Sequence, residues 1–76
     1  MGTLNNIPLR KYRKFLEAQG LKVIRTTGGH EVWSRTDLGR PVVLQTHIDP
    51  VPEFIVLNNL KTIGAGKKDL LDFLGH

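Results

Sequence analysis

The sequence predicts an α+β fold in the order helix, three strands, helix and short helix, and three observations support it. Apolar residues recur at helical spacing ahead of Gly20, β-branched residues gather in three short runs between 21 and 46, and helical spacing returns after Pro52. A chain of 76 residues has room for one core, so residues 1–76 are expected to form a single domain. Helices on one face of a small antiparallel sheet would close that core and leave the other face or its edges for contact.

In the first element, Leu9, Tyr12, Phe15 and Leu16 fall at i, i+3, i+6 and i+7, while Arg10, Lys11, Arg13, Lys14 and Glu17 take the opposite positions. That is the pattern of an amphipathic helix. Asn6 suits its N-cap, Pro8 its first turn and Gly20 its C-terminal stop. Glu17, four residues after Arg13 and three after Lys14, is expected to screen one of them. Residues 21–27, 31–36 and 41–46 then read as strands of a meander, separated by Thr27-Gly28-Gly29 and by Asp37-Leu38-Gly39. Pro52-Glu53 opens a helix in which Val56, Leu60 and Ile63 share a face. After Gly64-Ala65-Gly66 comes a short helix with Leu70, Leu71, Phe73 and Leu74.

Composition narrows the class. Apolar residues at 39% and charged ones at 24% exclude a disordered or low-complexity chain. The absence of cysteine removes disulfides, thiolate metal sites and cysteine nucleophiles together, and fits a reducing cytoplasm. The longest apolar run, residues 54–57, is far short of the roughly 20 needed to cross a bilayer. Residues 1–14 carry no apolar stretch of the kind that marks a secretory signal, so the expected location is the cytoplasm, with no membrane contact. The net charge is +4, unevenly spread: residues 1–40 hold eight cations and three anions, residues 41–76 three cations and four anions. A basic half attracts a polyanion such as nucleic acid, or an acidic partner protein; the plainer reading is a solvated face kept for solubility.

Three histidines and no carboxylate cluster leave few catalytic options. His30 follows Gly28-Gly29, where the backbone can turn tightly and an anion can approach main-chain amides. An imidazole there is suited to moving a proton to or from an RNA ribose or phosphate oxygen, with Lys22, Arg25 and Arg35 supplying charge. Taken alone, a histidine after a glycine pair is more often a turn residue. His47 reads as a hydrogen-bonding residue that closes the connection after the third strand, and the last residue, His76, as frayed. The histidine spacing matches no compact metal motif, so neither metal nor other cofactor is expected. Ser34, the sole serine, lies in no nucleophile-elbow pattern. Trp33 and Tyr12 could stack on bases, but both sit in core phase. On the middle strand Glu31, Trp33 and Arg35 share one face, and His30, Val32 and Ser34 the other. If Trp33 is the inward residue, His30 faces out; if Val32 is, exposing the imidazole needs a bulge near the glycines.

Four features stand in a characteristic order: the first helix ending at Gly20, the segment Arg25-Thr-Thr-Gly-Gly-His-Glu-Val-Trp33, a strand ending Leu44-Gln-Thr-His47, and Pro52-Glu-Phe-Ile-Val-Leu-Asn-Asn-Leu-Lys-Thr-Ile-Gly64. Together they resemble the HicA-like toxins of bacterial type II toxin-antitoxin systems, over nearly the whole chain from about Leu9 to Phe73. The resemblance implies a fold like the double-stranded-RNA-binding domain and the activity of an mRNA interferase that cleaves RNA without a metal. It also implies His30 as the catalytic residue, in a motif reading Gly28-Gly29-His30-Glu31, where Gly29 replaces the family's usual serine and Glu31 a second histidine. Arg10, Lys11, Lys14, Lys22 and Arg25, with Gly28 and Gly29, would hold the mRNA substrate, and a HicB-like antitoxin would be the protein partner. A non-catalytic RNA-binding module and a protein-interaction domain are the alternatives that the residues leave open.

Overall fold

The computed structural model describes residue 4 and residues 6–75. Its elements run α1 (Leu9–Ala18), β1 (Lys22–Thr27), β2 (His30–Ser34), β3 (Val42–Gln45), α2 (Glu53–Ile63) and α3 (Lys67–Leu74). The strands form one antiparallel sheet in the order β1-β2-β3, as the meander pattern predicts.

All four apolar residues of the α1 stripe are buried. They meet Trp33, Val42 and Leu44 from the sheet, Val56, Leu60 and Ile63 from α2, and Leu70 from α3 in one cluster, so the helices share one sheet face. Phe73 places its ring edge-on to Phe15, 5.6 Å between centroids, and docks α3 on α1. Gly20 takes φ +86°, and Leu21 N–H donates to the Leu16 carbonyl, the bond that closes a helix through a left-handed glycine.

The start of α1 differs from expectation. Asn6 is not the cap: Pro8 occupies that position, and the first free amide, Leu9 N–H, donates to Asp49 Oδ1 at 2.9 Å from forty residues away. A carboxylate at a helix N-terminus satisfies both an orphan donor and the helix dipole. With the Ile7–Val51 bridge, it ties the segment before α2 to the segment before α1. Glu17 does not engage Arg13 either. The Arg13 guanidinium donates through Nε and Nη2 to the two oxygens of Glu31, at 3.1 and 3.0 Å. The bidentate fork gains more than an exposed helical pair, and it fastens α1 to β2.

Arg35 is likewise committed to the scaffold rather than to a site near His30. Its guanidinium donates to the carbonyls of Gln19 and Ile63 and pairs with Asp37. One cation thus satisfies the C-terminal ends of α1 and α2, where orphan carbonyls and the helix dipoles both favour positive charge. The same guanidinium holds the Asp37 carboxyl below its ordinary pKa.

Candidate nucleic-acid interface on the open sheet face

The uncovered face of the sheet is organised in rows by strand register. Thr27, His30 and Gln45 lie abreast; Arg25, Val32 and Val43 form the next row; Lys22 and Ser34 form the third. Cross-strand partners point to the same side of a sheet, so His30, Arg25 and Lys22 share a face. His30 is exposed, while Trp33, 3% exposed, belongs to the core. Val32 is buried too but stands outside the core cluster, so outward display of the imidazole needs no bulge at the glycines.

A bulge does exist, in β1, and it matters more than the glycines. Strict alternation would put Lys22 and Arg25 on opposite faces. The register instead slips between Val23 and Arg25, leaving Ile24 as the extra residue, 63% exposed. The slip turns Arg25 onto the face of Lys22 and His30, the re-aiming that bulges characteristically produce. As a diagonal neighbour of His30, Arg25 has its backbone roughly 7–8 Å away, within reach of a long side chain. Among the described residues, neither Lys22 nor Arg25 is in a salt bridge.

Gly28 and Gly29 form the two-residue turn between Thr27 and His30, and Gly28 takes φ +51°, which an L side chain adopts only with strain. Gly29 is small for another reason. A Cβ there would stand 2.8 Å from His47 Nδ1, so the second imidazole lies directly against this glycine. A serine at this position would collide with His47 as it is placed here. His47 makes no hydrogen bond among the described residues, so the expected closing bond is not found; Ile48 N–H instead donates to the Gln45 carbonyl in that connection, and Asp49 ties it to the start of α1. Glu31, in the motif's next position, projects to the opposite side of the sheet, where it also accepts the Trp33 indole N–H at 3.1 Å.

Arg10, Lys11 and Lys14 are exposed on α1, opposite its buried stripe, in the layer that covers the other sheet face. The structure therefore gathers His30, Gly28, Gly29, Lys22 and Arg25 but does not bring the α1 cations to them. It adds Gln45 beside His30, which sequence reasoning missed, and places His47, expected at the strand end, against Gly29. The signal was present: folding 31–36 antiparallel onto 41–46 about the Asp37-Leu38-Gly39 turn sets the end of the second run beside the start of the first. A cavity of about 220 Å³ lies next to His30, lined also by Val43, Gln45, Ile48, Pro52 and Ile55. Histidine, aspartate and glutamate side chains form no cluster of three among the described residues, His76 lying outside them. No described helix is long and apolar enough to cross a membrane. Compared with known proteins, the chain matches no family model, no curated protein and no solved structure.

Proposed function

We propose that the protein is a metal-independent endoribonuclease of the HicA-like toxin kind, acting on mRNA and held in check by a HicB-like antitoxin. The observation that carries the reading is the exposed His30 imidazole on the open sheet face with Arg25 and Lys22, cations in no salt bridge among the described residues. That arrangement fits an RNA strand laid across the sheet, phosphates against the guanidinium and ammonium groups, with a ribose beside the imidazole.

In the reaction, the ribose 2′-oxygen attacks its own adjacent phosphorus, the bond to the 5′-oxygen breaks, and a 2′,3′-cyclic phosphate and a 5′-hydroxyl result. His30 takes the 2′-hydroxyl proton as general base while water protonates the leaving 5′-oxygen, or protonates that oxygen as general acid while water takes the 2′-hydroxyl proton. Arg25 is within reach to stabilise the charge that develops on the phosphoryl oxygens. Gly28 and Gly29 keep the turn beside His30 free of side chains. Arg10, Lys11 and Lys14, on the helix layer, strengthen long-range attraction without reaching the reacting phosphate. An acidic antitoxin covering the open face would meet the same cations and hide the imidazole.

The test is incubation of the purified protein with RNA in excess chelator, with the new ends mapped, beside induced expression in growing cells. Wild type should cut and arrest growth. His30→Ala should cut roughly 100- to 10,000-fold more slowly, the range for losing one general acid–base group, and should not arrest growth. Equal cutting by both overturns the role of His30. Salt-sensitive binding that His30→Ala retains, with no cutting by either, would leave an RNA-binding module; absence of RNA affinity at low salt would leave a protein-interaction domain.

A further inference from the structure

The cavity beside His30 differs in chemistry from the cationic face it adjoins. Its lining is aliphatic, with Val43, Ile48, Pro52 and Ile55 among it, apart from two polar residues, His30 and Gln45, both of them exposed. At about 220 Å³ it has room for one planar ring system. We propose that it receives a single unstacked nucleobase of the bound RNA, and that the Gln45 amide reads that base by its hydrogen-bonding edge. The proposal deepens the ribonuclease reading and rests on it.

The physical fit has three parts. A base has two apolar faces and a polar edge, so an aliphatic lining with one exposed amide matches its distribution of polarity. A glutamine amide carries both a donor and an acceptor, the combination that makes bidentate pairing with a base edge discriminating. Gln45 and His30 are cross-strand partners. A base held at Gln45 therefore brings its own ribose and phosphate to the imidazole, with Arg25 one row on to take a neighbouring phosphate. The favoured occupant is RNA rather than an apolar side chain of a protein, because an aliphatic anchor would leave the amide unused and gain nothing from Arg25 and Lys22.

The experiment measures anisotropy of labelled homopolymeric hexaribonucleotides of A, C and U with the full chain, together with end mapping on mixed-sequence RNA in excess chelator. Wild type, Gln45→Leu and Val43→Trp are compared, the last filling the cavity from a residue 43% exposed and so not essential to packing. Wild type should favour one base and cut at a fixed step from it. Gln45→Leu should reduce that discrimination roughly tenfold while retaining phosphate-driven binding, and Val43→Trp should abolish it. Base-selective binding without cutting supports the pocket and removes the nuclease. Cutting that depends on His30 but ignores base identity, or a preference unchanged in both variants, overturns the pocket and keeps the nuclease. If Val43→Trp disrupts only pairing with a protein partner, the cavity belongs to that partner and the proposal fails.

Discussion

The two faces of one strand use the same kinds of residue to opposite ends. On the covered side of β2, Glu31 accepts two bonds from Arg13 and one from the Trp33 indole, and its charge is consumed holding a helix to a sheet. On the open side, His30 is exposed, and Arg25 and Lys22 face solvent outside any salt bridge among the described residues. Of the eight cations in residues 1–40, Arg13 and Arg35 are thus structural. Counting charge along a chain overstates what a polyanion can reach; the residues that matter are those the scaffold has not already paired.

The sharpest way to break the contrast is to compare adjacent substitutions. Glu31→Ala removes the only acceptor that the described residues give a buried indole N–H and strands a half-buried guanidinium, so it should cost about 2–4 kcal/mol of folding free energy. His30→Ala, at an exposed position, should stay within about 0.5 kcal/mol. Denaturant unfolding followed by fluorescence of the lone tryptophan reads both. If the two costs are equal, the division of labour between the faces is wrong.

Tyr12 gives the next effect, on the covered side. Its ring is fully buried, and its hydroxyl and the Asn59 amide nitrogen both lack a partner with hydrogen-bond geometry. Asn59 is close enough to offset part of the effect, but burial dominates and pushes the phenol pKa from 10.0 up to about 12. The unfolded chain therefore loses the proton first, and stability present below pH 10 is lost as pH rises toward 12. The loss should reach about 2–3 kcal/mol, using 1.36 kcal/mol per unit. Tyr12→Phe should abolish the alkaline drop and, with no bond to lose, stay within about 1 kcal/mol of the parent at neutral pH.

Local pattern was legible where one element decides it. The α1 stripe, the Gly20 stop and the phase of Trp33 against His30 follow from spacing alone, and each is found as expected. What stayed hidden was long-range or out of phase. The Arg13–Glu31 fork spans 18 residues, Asp49 caps a helix 40 residues earlier, and Arg35 joins two helix ends that only the tertiary fold makes neighbours. The β1 bulge breaks the alternation on which strand reading depends, and it is what places Arg25 on the candidate site. Gln45 and His47 come to the site only when the second and third runs are paired about the Asp37-Leu38-Gly39 turn, a step beyond reading each run by itself.

A second pair of substitutions separates tied from untied arginine. Arg35→Ala leaves the Gln19 and Ile63 carbonyls without their donor and should cost about 2 kcal/mol, with Arg35→Lys recovering only part because an ammonium cannot span both. Its RNA affinity, measured in salt low enough to keep the variant folded, should show an unchanged salt slope. Arg25→Ala should do the reverse: stability within about 0.5 kcal/mol, and a slope of log affinity against log salt shallower by roughly 0.7 for one lost single-strand contact. A shallower slope for Arg35→Ala as well would mean that the scaffold arginine also touches RNA.

The smallest effect discriminates between two neighbouring glycines. Gly28 needs its hydrogen because φ is +51°, and nothing lies within 4 Å of where a Cβ would be; Gly29 needs its own because His47 occupies that space. A serine at 28 must therefore strain the backbone, at about 1 kcal/mol, whereas a serine at 29 has only to push aside an exposed imidazole. Gly29→Ser should cost less than Gly28→Ser in thermal unfolding and should shift the His47 ring resonances in NMR while the fold persists. Should Gly29→Ser prove the more damaging, or leave those resonances in place, the ring is not held against that glycine.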